Sequence, residues 1–209
     1  MSDFVKQNNQ FFRFWSKYYD LMCNIIYKLR NEVVKLLDGE KLNIIDVACG
    51  TGTLSVEIAK AGHKVIGIDV CPDMLKKAKK KVKPNYNLKF IKADATKLPF
   101  FENQFDVATI SLALHDMPKE IIIKVLAQTK KVIKPDGKII IVEYYTPQNF
   151  IGKKIVSLWE TEYYQNFTKT GLDHYLQKVD LRKTKTKKYW FNNFQIVECK
   201  SGLNQVEDR

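Results

Sequence analysis

The sequence predicts an α/β fold, a mostly parallel central sheet flanked by helices, from three observations. Short apolar runs of strand length alternate with longer stretches of helical periodicity, the order that βαβ units require. The strand candidates are continuous apolar runs, as strands covered on both faces need to be. One of them leads straight into a glycine turn that opens a helix, Asn43-Ile44-Ile45-Asp46-Val47-Ala48-Cys49-Gly50-Thr51-Gly52-Thr53-Leu54. Open α/β sheets hold ligands at this carboxyl edge.

In chain order, residues 11–37 read as one or two helices added ahead of the nucleus, with Asp38-Gly39 closing the last. The five strands are expected at 43–48, 64–69, 88–93, 105–111 and 138–145. A helix over 53–61 ends at Gly62, which suits a left-handed C-cap, and one over 72–82 begins with Pro72 in its first turn. A third, over 118–133, starts with Pro118 and carries Ile121, Ile122, Val125, Leu126, Val132 and Ile133 as an apolar stripe. Lys134-Pro135-Asp136-Gly137 then reads as a turn. Residues 150–167 are expected to be helical and 191–200 to form a late strand that Ser201-Gly202 turns back on itself. Residues 168–188 fit a lid, a helix or an ordered loop equally well.

At 209 residues, 45% hydrophobic and 28% charged, the chain is sized and composed for one buried domain, and collagen-like or wholly disordered classes are excluded. No apolar run reaches membrane-spanning length, and the first ten residues lack signal-peptide character, so a cytoplasmic protein is expected. Cys23, Cys49, Cys71 and Cys199 are too scattered for a zinc site and are expected to be reduced thiols. Thirty-five basic against 23 acidic residues give +12. The excess gathers in the runs 76–81 and 182–188, neither with interleaved aromatics; these are expected to be solvated faces, with RNA, anionic lipid or an acidic substrate as the alternative.

Gly50 and Gly52 remove Cβ atoms where backbone would approach a ligand, and the free N–H groups of the following helix can meet a polar group. Asp69 ends the second strand 17 residues after Gly52, placed to accept both hydroxyls of a ribose. Two cofactors fit this far. A dinucleotide site calls for a third glycine where this chain has Ser55. Asp94 closes the third strand, where it can accept from an adenine amine, and acids ending three strands favour a partly cationic ligand such as S-adenosyl-L-methionine.

These residues also resemble the class I S-adenosylmethionine-dependent methyltransferases, and within them the ubiquinone/menaquinone biosynthesis C-methyltransferases. The likeness covers about two thirds of the chain, from Trp15 to Pro147. Tyr18-Tyr19-Asp20-Leu21-Met22 is similar to the family's Y-D-L-M helix, and Asp46-Val47-Ala48-Cys49-Gly50-Thr51-Gly52 to its first glycine motif. Gly67-Ile68-Asp69-Val70-Cys71-Pro72-Asp73-Met74-Leu75 is similar to G-x-D-x-S-x-x-M-L, and Ala93-Asp94-Ala95 to A-[DN]-A. Leu98-Pro99-Phe100, Phe105-Asp106 and Lys134-Pro135-Asp136-Gly137-Lys138 resemble L-P-F, F-D and K-P-G-G. The resemblance implies a Rossmann-like class I methyltransferase fold with an N-terminal helical addition. It divides the single domain 1–209 into a helical lid (1–40), a cofactor-binding core (41–147) and an acceptor-side helix with terminal strands (148–209).

Carried over by position, the resemblance implies Gly50, Thr51 and Gly52 around the methionine part of S-adenosyl-L-methionine, Asp46 beneath its amino group and Asp69 on the ribose. It places Met74, Asp94 and Ala95 about the adenine and Ser111 facing the reacting methyl group, and it adds Tyr19 and Val70 to the cofactor-binding residues. After the fourth strand the quinone enzymes carry S-F-G-L-R-N, whereas this chain has Ser111-Leu112-Ala113-Leu114-His115-Asp116. His115 is the candidate base and Asp116 its orienting partner. Methyl transfer needs no metal. Aromatic residues at 11–19 and 159–167 are candidates to cover the crevice, so the acceptor is expected to be small and apolar or aromatic. An RNA or protein methyltransferase and a non-catalytic cofactor-binding protein are the alternatives.

Overall fold

The computed structural model describes residues 27–37, 41–145, 162–189 and 193–201. Helix α1 covers 27–35 and buries Leu29 and Val33, one turn apart on a single stripe. Then follow β1 (Asn43–Val47), α2 (Thr53–Lys60), β2 (Lys64–Asp69), α3 (Pro72–Lys79), β3 (Leu88–Lys92) and β4 (Phe105–Ser111). A 3-10 turn, Leu114–Asp116, leads into α4 (Lys119–Val132) and β5 (Ile133–Tyr144). The chain continues with α5 (Glu162–Thr170), α6 (Leu172–Lys178), β6 (Leu181–Tyr189) and β7 (Phe194–Ser201).

The seven strands form one sheet in the order β3-β2-β1-β4-β5-β7-β6. β3, β2, β1, β4 and β5 run parallel, while β7 is antiparallel to both β5 and β6. Strand order therefore reverses between β1 and β4, and the crevice opens at their carboxyl ends. The period of two splits each apolar run between the sheet's two faces. Ile139 and Ile141 join Ile122, Leu126, Phe167 and Tyr175 beneath α4, α5 and α6, whereas Ile140 and Val142 join Leu29, Val33, Leu54, Ile58 and Leu75 beneath α1, α2 and α3.

Several expectations are corrected. The four residues 134–137 are a bulge inside β5, because Phe105 pairs with Ile133 and Val107 already pairs with Lys138. Lys134 Nζ holds the Asp106 carboxylate at 2.6 Å across the bulge, and a Cβ on Gly137 would strike the Asp106 carbonyl at 2.6 Å. β3 is an edge strand that buries only Leu88 and Phe90, so the expectation of two covered faces fails there. The segment 168–188 is the end of α5, all of α6 and most of β6. β7 is partnered by the strand before it, and the turn-back expected at Ser201-Gly202 lies outside the described residues. The expected helices over 11–26 and 150–161 lie outside the described residues, as does Tyr19. The lysine run 76–81 forms the last turn of α3 and the two residues after it, and the helix buries Met74, Leu75 and Ala78. No described helix is long and apolar enough to cross a membrane.

Candidate functional site

The glycine turn between β1 and α2 alternates left-handed residues: Ala48 (φ 55°), Gly50 (φ 55°) and Gly52 (φ 72°). Leu112, just past β4, is also left-handed at φ 51°. Ala48 and Leu112 each carry a Cβ in a conformation that costs about 1 kcal/mol or more. They follow neighbouring strands, Val47 pairing with Ile110, so this strain is concentrated at the mouth of the crevice.

The two glycines do different work. A Cβ on Gly52 would strike the Phe90 ring, with Cε1 at 2.7 Å, and Ala78 Cβ at 2.8 Å, so this glycine serves packing rather than ligand approach. Gly67 makes room for the same ring. A Cβ on Gly50 would meet nothing within 4 Å, which leaves the open cradle there. Gly52→Ala is expected to lose about 1 to 3 kcal/mol from overpacking beyond its backbone strain. Gly50→Ala should lose only about 1 kcal/mol, the cost of the left-handed residue. Chemical denaturation of both variants checks the order.

Asp69 Oδ2 accepts from Gly50 N at 2.8 Å and Oδ1 from Cys71 N at 2.8 Å, so β2 latches the glycine turn. Burial still raises the Asp69 pKa above its ordinary value, against the backbone donors of Cys71, Gly50 and Val70. Asp46 is buried, and its oxygens accept from the Ser55 and Thr109 hydroxyls. Ser55 thus fills the third-glycine position with a hydroxyl that the carboxylate uses. Burial lifts Asp46 to about 6, with the Asp69 charge adding to the shift. The Cys49 thiol is driven well up by burial and then by Asp46 and Asp69. The crevice floor is therefore a negative field, suited to a cation and unsuited to a pyrophosphate.

Met74 is buried at the start of α3, Val70 and Ala95 are half-buried, and Ser111 ends β4 beside Val142. Asp94 is exposed, and its Oδ1 takes both the N–H and the hydroxyl of Thr96. The Thr51 hydroxyl meets Lys81 Nζ at 3.2 Å and Thr53 Oγ1 at 3.3 Å. The turn and the ends of β2 and β3 thus gather on one side of the switch point.

On the other side stands a group that sequence reasoning only half saw. His115 Nδ1 lies 2.7 Å from Glu143 Oε1 and Nε2 lies 3.3 Å from Asp116 Oδ2. Burial opposes the imidazolium, but the charges of Glu143 and Asp116 outweigh it and lift the His115 pKa to about 10. The neutral imidazole expected of a base is replaced at pH 7 by a doubly paired cation. Glu143, fully buried on β5, also accepts from Leu114 N (2.9 Å), His115 N (3.2 Å) and Tyr144 N (3.0 Å), so one carboxylate fixes the whole 3-10 turn. Its signal in the sequence is a lone acid closing an apolar strand, Ile139-Ile140-Ile141-Val142-Glu143. The rings of Tyr144 and Tyr164 stand edge-on to His115 at 4.6 and 5.9 Å, and Phe194 packs on Tyr144 at 4.8 Å.

Residues 44–137 match the family model described as a methyltransferase domain. The demethylmenaquinone methyltransferase of Staphylococcus aureus is 32% identical over 163 residues, 74% of this chain and 67% of the relative. That of Staphylococcus saprophyticus is 31% identical over 150 residues, 68% of this chain and 64% of the relative, so the chain matches about two thirds of these relatives' length. The chain belongs to the class I S-adenosylmethionine-dependent methyltransferases. Membership makes it a transferase whose methyl donor is S-adenosyl-L-methionine, and the cradle at Gly50 above a negative floor fits that ligand. Two solved structures share the fold. A SAM dependent methyltransferase from Aquifex aeolicus superposes with TM-score 0.66 at 19% identity, covering 81% of this chain and 88% of its own. The magnesium protoporphyrin IX methyltransferase of Synechocystis, with bound SAH, gives 0.66 at 21%, covering 83% and 82%.

Proposed function

We propose that this methyltransferase methylates a small apolar ring compound bearing a hydroxyl, with the cofactor in the glycine cradle and the acceptor against His115, Tyr144 and Tyr164. The observation that carries the reading is the charged, aromatic cluster beside the switch point, where a buried cation stands among rings. The quinone enzymes place an arginine where this chain has His115, and holding His115 as an imidazolium keeps a cation at that position. The name of the staphylococcal relatives supports a quinone-type ring.

In this reading Gly50, Thr51 and Gly52 border the methionine part, with Gly50 leaving the space and Gly52 shaping the turn. Asp46 supplies negative field beneath the ammonium, Asp69 accepts from the ribose, and Val70, Met74, Asp94 and Ala95 surround the adenine. Ser111 lies near the reacting end. When bound, the cofactor supplies a methyl group on a sulfonium, ready for in-line displacement. The chain's task is to align the ring and raise its electron density. Asp116, half-buried beside His115, takes the hydroxyl proton; the imidazolium then faces the ring oxyanion, Tyr144 and Tyr164 exclude water, and after transfer the methylated carbon's proton passes to that oxygen as the ring regains aromaticity, Asp116 releasing its own proton on product exit. This reverses the roles expected from the sequence, because the histidine orients and the aspartate accepts.

The single domain 1–209, its helical lid over 1–40 and its acceptor-side region 148–209 belong to the same proposal, as does a cytoplasmic location, which the free thiols of Cys49, Cys71 and Cys199 support. Labelled S-adenosylmethionine offered with a hydroxylated naphthoquinol is expected to label the ring. Asp116→Asn should lower kcat by about 10² or more while cofactor affinity stays within about three-fold. Label reaching only RNA or protein would overturn the reading.

A further inference from the structure

Among the described residues β6 has one paired neighbour, β7, and forms the outer edge of the sheet. Residues Arg182 through Lys188 are all exposed, without an acid or an apolar side chain among them. By register, Arg182, Lys185 and Lys187 share a face with Lys200, Glu198 and Ile196 of β7, while Lys183 and Lys188 take the other. Among the described residues, carboxylates do not balance these cations. Lys183 pairs with Asp173 at 2.6 Å and Lys187 with Glu32 at 2.7 Å, but Glu32 is already shared with Lys35. Glu198 is held by Lys138 at 3.1 Å and lies 3.9 Å from Lys185, and Lys200 stands exposed opposite Arg182.

The strand also points somewhere. Its last residue, Tyr189, pairs with Phe194, which pairs in turn with Tyr144 of the acceptor pocket. Lys188 Nζ lies 3.8 Å from the centre of the Tyr145 ring, so cation and aromatic ring meet beside the proposed acceptor site. Lysines on a sheet edge deter strand pairing, and one or two suffice for that. Five cations in seven residues, running up to an aromatic cluster, match an anionic surface from which an apolar molecule is taken.

We infer that β6 is a docking edge for an anionic lipid surface, which brings the pocket around Tyr144 to an acceptor dissolved in the bilayer. The inference rests on the proposed apolar acceptor. Long-range attraction by Arg182, Lys185 and Lys200 draws the edge to the headgroups, and their aliphatic stems lie along the interface with the charges in the polar layer.

The test is sedimentation of the full chain with vesicles of phosphatidylcholine alone and of phosphatidylcholine with phosphatidylglycerol, without acceptor. Binding is expected only to the anionic vesicles, and salt of about 0.5 M should release it, since screening then acts within a few ångströms. The triple variant Arg182→Gln/Lys185→Gln/Lys200→Gln should bind about a hundred-fold more weakly, each cation near an anionic leaflet being worth roughly five-fold. Its thermal unfolding and its methylation of a short-chain, water-dispersed acceptor should match the parent, which separates docking from folding and from the acceptor assignment. Equal binding to both vesicles, binding to RNA but not to vesicles, or binding to neither overturns the inference. Anionic-vesicle binding with no turnover on any apolar acceptor would instead sink the acceptor reading and leave the edge without its purpose.

Discussion

Glu143→Ala is expected to lose about 3 to 5 kcal/mol of folding stability, because it leaves a buried imidazolium facing one carboxylate and strips three backbone N–H groups of their acceptor. Methyl transfer should fall with it, since that carboxylate ties the backbone of Leu114 and His115 to β5 across 29 and 28 residues of chain. Glu143→Gln separates charge from shape. It keeps an acceptor for the turn but removes the charge that holds the proton, so His115 should titrate well below its native value of about 10. The pH dependence follows in sign. A histidine in the unfolded chain titrates near 6.5, so between about 6.5 and 10 the folded state holds the extra proton. The stability from this cluster is complete below about 6.5 and is lost as pH rises through about 10. Denaturation series over that range should show the decline in the parent and a much flatter profile in His115→Gln. A parent profile that rises over the same range would remove the cation from the pocket.

The parallel part of the sheet and its helices were legible because burial on both faces leaves apolar runs, and Pro72, Pro118 and the glycine turn punctuate them. The sequence placed Asp69 at the strand end facing a ribose, but not its latch on Gly50 N, because only the fold brings strand end and turn together. Nor was β6 legible. Its Lys and Thr residues have no apolar alternation to read, and it is a strand because β7 offers backbone partners and Leu181 anchors its start. The bulge at 134–137 has turn chemistry in its sequence, yet the pairing of Phe105 with Ile133 keeps it inside β5. Gly50 and Gly52 look equivalent in sequence, and only the Phe90 ring separates them. The charge of His115 depends on Glu143, a partner whose approach no local pattern encodes.

Asp69→Ala is expected to weaken S-adenosylmethionine binding by roughly 10² to 10⁴, from the loss of two charge-assisted hydrogen bonds of about 1.5 to 3 kcal/mol each. The same carboxylate also latches Gly50 N and Cys71 N, so a loosened turn could mimic a lost ribose contact. S-adenosylhomocysteine and an analogue lacking both ribose hydroxyls separate the two. The parent should discriminate between them by about 10² or more in calorimetry. A folded Asp69→Ala protein should bind both weakly and alike, because the group that read the hydroxyls is gone. Burial lifts the Asp69 pKa, so in the parent this discrimination should fade on acidification at a higher pH than an ordinary carboxylate would give, as protonation removes the charge from both hydrogen bonds. If Asp69→Ala still prefers the hydroxylated ligand as strongly as the parent does, the ribose is held elsewhere and Asp69 serves only to latch the turn.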